Sequence, residues 1–376
     1  MILFNNVASQ WKEIEHSALP EITKFLGTGP YIGGKEVEKF ESDFKDYCSA
    51  KYAIGVSNGT DALRLALQTV LEKNCVRNII YISANAHISN ALAPAHLGYL
   101  SKLRLIDCDE NYNMDIDFLK ERILIDSYIQ NIIIITHLYG QPVDIDKIKK
   151  IAPKSIIIED CSQAQGATIK GKHVGTIGDI GIFSLYPTKN LGAMGDAGII
   201  ITNNKYYNNR LIMLRNYGSS DKVDYVDKGW NARLDPLQAL ILRHKLPLLN
   251  KWNEKRRAIA NQYHEGLKNI KNIILPLHTD NHVYHIFPIR IISRNKLKEY
   301  LYNNGIETMI HYPIPIEKTS AFSFLYENKN PNTIRYAQEL LSLPIHPYLT
   351  SDEINKIIVI IKKFFLKGND GYTCYS

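Results

Sequence analysis

Short apolar runs alternate with amphipathic stretches from the N-terminus to about residue 240, and this alternation most restricts what the chain can fold into. Several runs are apolar on both faces, which is typical of parallel strands that helices cover from both sides. We therefore predict an α/β fold with a mainly parallel central sheet between helices. The stretch 61–71 has helical spacing, and the predicted strands are 51–56, 78–82, 131–136, 155–158, 181–185 and 198–202.

The pattern changes after residue 245. A long helical pattern over 236–257 is interrupted at Pro247, and the elements that follow no longer alternate regularly. We therefore predict two domains, a large α/β domain over 1–245 and a small α+β domain over 246–376. In the small domain the patterns predict strands at 283–292 and 307–312, helices at 295–303, 333–341 and 351–365, and a frayed polar tail at 367–376.

Composition excludes several classes of protein. Hydrophobic residues make up 45% and charged residues 22% of the 376 residues, which is typical of a globular chain and excludes wholesale disorder. The net charge of +7 is spread along the chain and forms no nucleic-acid footprint. Five widely spaced cysteines without a CxxC motif indicate a reducing compartment and no zinc site. With no signal peptide and no apolar run of ~20 residues, we expect a cytoplasmic protein without membrane partners.

Residues 57–61, Ser-Asn-Gly-Thr-Asp, follow a predicted strand and open a predicted helix. Such a turn presents unpaired backbone N–H groups at the positive end of a helix dipole, which suits a phosphate. Gly59 allows close approach, and Thr60 adds a hydroxyl. Taken alone, the same residues favour an ordinary capping turn with Asn58 or Thr60 as the cap.

A carboxylate lies at the end of the apolar run 156–160, where open α/β sheets place their ligands. Asp160 and Gln163 are three residues apart and share one side if the chain turns helically. The alternatives are a helix cap and a metal ligand. Only Glu159 lies at metal-ligand spacing, so no metal is predicted.

Lys189 follows another predicted strand in a turn flanked by Pro187 and Gly192. Desolvation lowers the pKa of a lysine held in this way, which allows it to form a Schiff base. An ordinary surface lysine is the alternative. Farther along, polar residues at 231–235 precede a helical pattern, and a simple N-terminal cap explains Asn231 and its neighbours as well as a functional role does.

Taken in order, these segments resemble the DegT/DnrJ/EryC1/StrS family of sugar aminotransferases, within the aspartate-aminotransferase-like fold type I of pyridoxal 5′-phosphate (PLP) enzymes. The resemblance runs from about Gly27 to Leu349. It includes SNGTDALRLAL, HLYGQPVDID, EDCSQAQGA, FSLYPTKNLGAMGDAG, NARLDPLQA and LSLPIHP. The resemblance implies that Lys189 forms the internal aldimine with PLP and that Asp160 keeps the pyridine nitrogen protonated.

Further cofactor contacts are implied by the same motifs. Gln163 is expected to bond the phenolic oxygen of the ring, and Gly59, Thr60 and Ser184 to hold the phosphate. Asn231 is expected to reach the phosphate of the neighbouring subunit, since family members share active sites across a homodimer. The chain departs from the family at His87, where a Tyr, Phe or Trp usually covers the ring. An imidazole can still stack there, with a titratable proton.

The resemblance also implies a reaction, the transfer of an amino group from L-glutamate to a nucleotide-linked keto-sugar. Tyr186 and the segments 214–219 and 229–231 resemble the branch that acts on dTDP-3-keto-6-deoxyhexoses. A 4-keto acceptor is the alternative. The resemblance also implies that the amino sugar is used in lipopolysaccharide or S-layer glycans. Less expected are a PLP-dependent sugar dehydratase, in which His replaces the lysine, and a non-catalytic PLP-binding regulator. Substrate contacts are expected from Tyr186, Arg215, Tyr217, His311 and Tyr312, although core packing equally explains the last two.

Overall fold

The computed structural model describes residues 1–71, 78–126, 130–221, 223–325, 327 and 329–366, so the tail 367–376 lies outside the described residues. The α-helices in these ranges are α1 (Val7–Thr28), α2 (Lys35–Cys48), α3 (Gly59–Val70), α4 (Ser89–His96), α5 (Ile116–Asp126), α6 (Ile145–Ile151), α7 (Lys205–Leu214), α8 (Pro236–Lys245), α9 (Leu249–Leu267), α10 (Arg294–Asn303), α11 (Pro331–Glu339) and α12 (Ser351–Leu366). The strands are β1 (Tyr52–Val56), β2 (Asn78–Ser83), β3 (Leu103–Ile106), β4 (Gln130–Thr136), β5 (Ile156–Asp160), β6 (Thr168–Ile169), β7 (Lys172–His173), β8 (Ile180–Ser184), β9 (Gly198–Thr202), β10 (Phe287–Arg290) and β11 (Leu340–Leu343).

Seven strands form the central sheet in the order β1-β9-β8-β5-β4-β2-β3. The five strands from β3 to β8 are parallel, and β9 runs antiparallel to both of its neighbours. This confirms the predicted α/β fold with a mainly parallel sheet. Each strand predicted for this region is present, with ends that differ from the prediction by at most two residues.

The apolar runs occupy both faces of the sheet. In β4, Ile132 and Ile134 pack into the hydrophobic cluster that contains α3, whereas Ile133 and Ile135 pack into the cluster that contains α6. Because successive side chains of a strand point to opposite faces, a continuous isoleucine run requires a helical layer on each side. The two helical layers therefore hold the strands, and with them the strand ends, in place.

The C-terminal region has its own hydrophobic cluster, which joins α9, α10 and α12 to the antiparallel pair β10 and β11. Ile2 belongs to this cluster and pairs with Ile306. The division of the chain at residue 245 stays a prediction. Across the described ranges, no helix combines the length and apolar character that a bilayer span needs.

Several boundaries in this region differ from the predictions. The helical pattern interrupted at Pro247 is α8 and α9, joined by a short 3-10 turn. The predicted strand at 307–312 is wrong, because only an isolated bridge from Met309 to Ser342 forms. Pro313 and Pro315 follow directly, and proline lacks the N–H that a sheet ladder needs. The predicted strand 283–292 is shortened to β10, and the predicted helix 333–341 ends before β11.

Candidate active site

The candidate site lies where the parallel strands end. Asp160 is the last residue of β5, and Ser184 is the last residue of β8. Lys189 follows β8 after a short turn, and His87 follows β2. The carboxyl ends of parallel strands meet at one edge of the sheet, so the fold brings these separate motifs together.

The turn before α3 offers donors for a phosphate. Asn58 is the N-cap, and its Oδ1 accepts the Asp61 N–H at 2.8 Å, so the capping interpretation is correct for Asn58. The amides of Gly59 and Thr60, the first two residues of α3, have no acceptor inside the helix. A Cβ at Gly59 would lie 2.6 Å from the Ser184 Cβ, so only glycine lets the serine hydroxyl approach the helix start. Two amides and two hydroxyls at a helix N-terminus fit the phosphate of PLP.

Lys189 lies in a tightly tied turn. Its N–H donates to the Tyr186 carbonyl at 2.9 Å, and the buried Lys245 ammonium donates to the Gly192 carbonyl at 2.7 Å. Burial lowers the pKa of Lys189 to about 8, although the charge of Asp160 partly opposes this shift. A lowered pKa leaves neutral amine available near neutral pH, which a Schiff-base lysine requires.

Asp160 is buried, with 3% of its surface exposed, and is held by two donors. Its Oδ1 accepts the Ser162 N–H at 3.0 Å, and its Oδ2 accepts Asn90 Nδ2 at 2.9 Å. No helix begins at Asp160, so it is not a helix cap. The carboxylate lies within electrostatic range of Lys189, as a partner of the pyridine nitrogen must.

Gln163 connects this edge of the sheet to the segment before β11. Its Oε1 accepts the Tyr139 N–H at 2.7 Å, and its Nε2 donates to the Tyr312 hydroxyl at 3.0 Å. Burial raises the pKa of Tyr312, so its hydroxyl stays protonated. Tyr312 therefore lines the candidate site. The His311 ring shares a hydrogen bond with Ser342 at 2.9 Å and also lies within electrostatic range of Lys189.

His87 lies at the mouth of the site, with its ring 5.5 Å from that of Tyr312. Partial desolvation lowers its pKa, and the charge of Lys189 lowers it further. The Ser89 N–H donates to His87 Nδ1 at 3.3 Å, which leaves the ring proton on Nε2. A neutral imidazole in this place can stack on an aromatic ring and donate one hydrogen bond.

The side chains of the other predicted residues lie at the surface or in an ion pair. Tyr186 and Tyr217 are exposed, and Asn231 Oδ1 accepts from Arg233 Nη2 at 2.8 Å at the surface. The Arg215 guanidinium is directed inward, to the Glu41 carboxylate at 2.5 Å and the Gly55 carbonyl at 2.8 Å.

One buried cluster near the site, His137, Glu159 and Cys161, has the residue types of a metal centre. His137 Nδ1 accepts the Val143 N–H, so the ring proton lies on Nε2 and is donated to Glu159 at 3.0 Å. Glu159 also accepts the N–H groups of Gly175, Ile177 and Gly178. The lone pairs that a metal would need are therefore already occupied by hydrogen bonds.

The sequence prediction missed three groups at the site. Asn90 donates to Asp160, Tyr139 donates its N–H to Gln163, and His285 shares a hydrogen bond with Asn190 next to Lys189. For Asn90 a signal exists, because it lies three residues after His87 at the start of a helix. Tyr139 lies in HLYGQPVDID, one of the segments that carry the family resemblance, but that segment does not indicate a contact with Gln163. His285 comes from a distant segment that no local pattern marks.

Comparison with known proteins identifies the chain. Residues 12–362 match the DegT/DnrJ/EryC1/StrS aminotransferase family. A dTDP-3-amino-3,6-dideoxy-alpha-D-galactopyranose transaminase of Aneurinibacillus thermoaerophilus is 40% identical, over 94% of this chain and 95% of the relative. A dTDP-3-amino-3,4,6-trideoxy-alpha-D-glucose transaminase of Streptomyces venezuelae is 33% identical, over 96% and 95%. The crystal structure of S. venezuelae DesV in complex with a ketimine intermediate superimposes with a TM-score of 0.89 at 32% identity, covering 96% of this chain and 98% of DesV. The chain therefore belongs to the DegT/DnrJ/EryC1/StrS aminotransferase family, and pyridoxal 5′-phosphate is its cofactor.

Proposed function

We propose that this aminotransferase moves the amino group of L-glutamate to C3 of a dTDP-linked 3-keto-6-deoxyhexose, giving 2-oxoglutarate and a 3-amino-3,6-dideoxy sugar. The observation that carries the proposal is the 40% identity, over 94% of the chain, to a relative named for a dTDP-3-amino-3,6-dideoxy sugar. The second relative is also named for a 3-amino sugar. A 4-keto acceptor is accordingly not favoured.

Each residue of the candidate site at the ends of the strands has a role in this proposal. PLP, when bound, supplies an aldehyde for the amino group and a ring that withdraws electrons from the reacting carbon. Lys189 holds the cofactor covalently and, once released, carries the proton to and from the reacting carbon as a general base. Asp160 supplies the negative charge opposite the ring nitrogen, and Gln163 and His87 orient the ring. Gly59, Thr60 and Ser184 hold the phosphate.

One of the remaining predicted contacts involves a second copy of the chain. Asn231 lies on the surface, where it can reach the phosphate group held by a partner subunit in a homodimer. Tyr186, Tyr217 and Tyr312 are proposed to contact the nucleotide sugar. The division into domains 1–245 and 246–376, a cytoplasmic location and a lipopolysaccharide or S-layer destination belong to the same proposal.

The test is a coupled assay with purified protein, PLP, L-glutamate and either the 3-keto or the 4-keto dTDP-6-deoxyhexose. We expect stoichiometric 2-oxoglutarate release with the 3-keto sugar, and NMR of the product should place nitrogen on C3. The 4-keto sugar serves as the matched control. Release with the 4-keto sugar alone would contradict C3 specificity, and no release with either sugar would contradict the proposed reaction.

A further inference from the structure

Asp160 is contacted by a side chain that no predicted motif contains. Asn90, in the first turn of α4, has none of its surface exposed, and its Nδ2 lies 2.9 Å from Asp160 Oδ2. Its backbone N–H donates to the His87 carbonyl at 3.0 Å, which fixes the start of α4 against the segment after β2. The contact therefore joins two strand ends across the sheet.

A second contact determines which way the Asn90 amide points. The Thr136 hydroxyl lies 3.3 Å from Asn90 Oδ1, and Thr136 is paired with Asp160 in the register of β4 and β5. An ionised carboxylate only accepts hydrogen bonds, so the amide must present its NH₂ group to Asp160. Its oxygen then accepts the hydroxyl proton of Thr136. All three side chains are buried, and their hydrogen bonds form one chain with a single direction.

We propose that Asn90 is a positioning residue for Asp160, and that the chain from Thr136 through Asn90 holds the carboxylate in one orientation, in which it would face the cofactor nitrogen. This inference rests on the proposed role of Asp160 opposite that nitrogen. Ser162 fixes Oδ1 and Asn90 fixes Oδ2, so both carboxylate oxygens are oriented from within the protein. Without Asn90, only Oδ1 is held, and the carboxylate can turn its other oxygen towards the Lys189 ammonium or towards water.

The sharpest test is Asn90→Asp, which keeps the shape of the side chain and replaces the donor with an acceptor. Two carboxyl groups at this distance share one proton, so at least one of them titrates well above its ordinary range. At low pH the new carboxyl is protonated and donates to Asp160, and at high pH the two charges repel each other. The titratable groups within range of Asp160 that shape this transition are Lys189, His87, Tyr312 and Cys161.

Two measurements follow. The melting temperature of the apoprotein is recorded from pH 5 to pH 9, and the deficit of Asn90→Asp relative to wild type should grow as the pH rises. The sign follows because the native pair binds more protons than the unfolded chain, so stability is lost as the pH rises. The absorption spectrum of the PLP-loaded variant should show a pH transition that wild type lacks. A pH-independent deficit together with an unchanged spectrum would overturn the proposal.

Asn90→Leu and Thr136→Val test the same chain by removal. For Asn90→Leu we expect kcat to fall about tenfold, a typical contribution of outer contacts to a site, while KM for both substrates stays within about twofold. Thr136→Val should lower kcat less, because Asn90 keeps its bond to Asp160. Asn78→Leu is the matched control, since Asn78 is equally buried but lies at the opposite end of β2.

If Asn78→Leu lowers kcat as much as Asn90→Leu does, a positioning role is excluded and a general packing effect remains. Failure of wild type to release 2-oxoglutarate would contradict the proposed function instead. The apoprotein melting profile of Asn90→Asp involves no substrate, so it tests the contact in either case.

Discussion

Two groups of predicted residues behave differently in the fold. The strand-end site, made of Asp160, Ser184, Lys189 and His87, is assembled by one chain at one edge of its sheet. The surface patch of Tyr217, Asn231 and Arg233 is held together by its own contacts, with Arg233 over the Tyr217 ring at 5.7 Å, and faces outward. The difference teaches that sheet topology brings the first group together, whereas we expect the second group to act only in contact with another molecule.

Lys189→Ala should have the largest effect on the strand-end site. Removal of a general base that also anchors the cofactor lowers kcat by at least about a thousandfold. Borohydride treatment of the loaded wild type should fix a pyridoxyl group on the peptide that contains Lys189, and no such adduct should form in the variant. Circular dichroism checks that the fold is retained.

Lys245 is a natural control for this result, because burial lowers its pKa to about 8 as well. Its ammonium is bound by Gln10 Oε1 at 3.0 Å and the Gly192 carbonyl at 2.7 Å, so geometry withholds it from the cofactor. An adduct on Lys245 in either protein would show that the pKa alone selects the reactive amine.

Asp160→Asn should be the next largest change. A neutral amide cannot hold the ring nitrogen protonated, so we expect kcat to fall about a hundredfold, as for loss of one preorganised electrostatic contact. PLP should still bind, because Lys189 and the turn before α3 that is expected to hold the phosphate both remain. Stopped-flow rates and equilibrium dialysis measure the two quantities, and near-normal turnover would place Asp160 away from the nitrogen.

The pH dependence of cofactor loading separates these two residues. Only the neutral amine of Lys189 attacks the aldehyde, and its pKa in the apoprotein is about 8. The rate of covalent loading should therefore rise about tenfold per pH unit below pH 8 and level off above it. In Asp160→Asn the midpoint should move to lower pH, because the carboxylate that raises the Lys189 pKa is gone. A midpoint that stays put would remove Asp160 from the surroundings of Lys189.

These residues show which parts of the site can be predicted from the sequence. Asp160, Ser184 and Lys189 were predictable because each ends an apolar strand, or lies in the turn after one, and the topology fixes where these strands end. The contact from Asn90 to Asp160 was not, since it depends on how closely α4 approaches β5. The strand at 307–312 failed because apolar alternation carries no information about a neighbouring edge with which to pair.

The surface patch can be tested by complementation. Asn231→Ala alone should lower activity about tenfold, and Lys189→Ala should abolish it. When the two variants are mixed in equal amounts and refolded together, random pairing into symmetric dimers that share their sites leaves about one quarter of all sites intact. Recovery to that level, measured after unfolding and refolding the two purified variants together, supports a shared site. If each site is built by one chain only, activity never exceeds the mean of the separate variants.

Arg215→Met should have the smallest catalytic effect of these substitutions. The variant tests whether Arg215 stabilises the fold or contacts the substrate. Its guanidinium bonds to Glu41, and Glu41 also accepts the Gly55 N–H at 2.7 Å, so the pair braces β1 against α2. Loss of this partly buried charged hydrogen bond should lower the free energy of unfolding by about 1–3 kcal/mol, while KM for the nucleotide sugar stays within about twofold. Glu41→Gln is the control, and the double variant should be less destabilised than the sum of the two. A tenfold rise in KM with unchanged stability would instead assign Arg215 to the substrate contacts, as expected from the sequence.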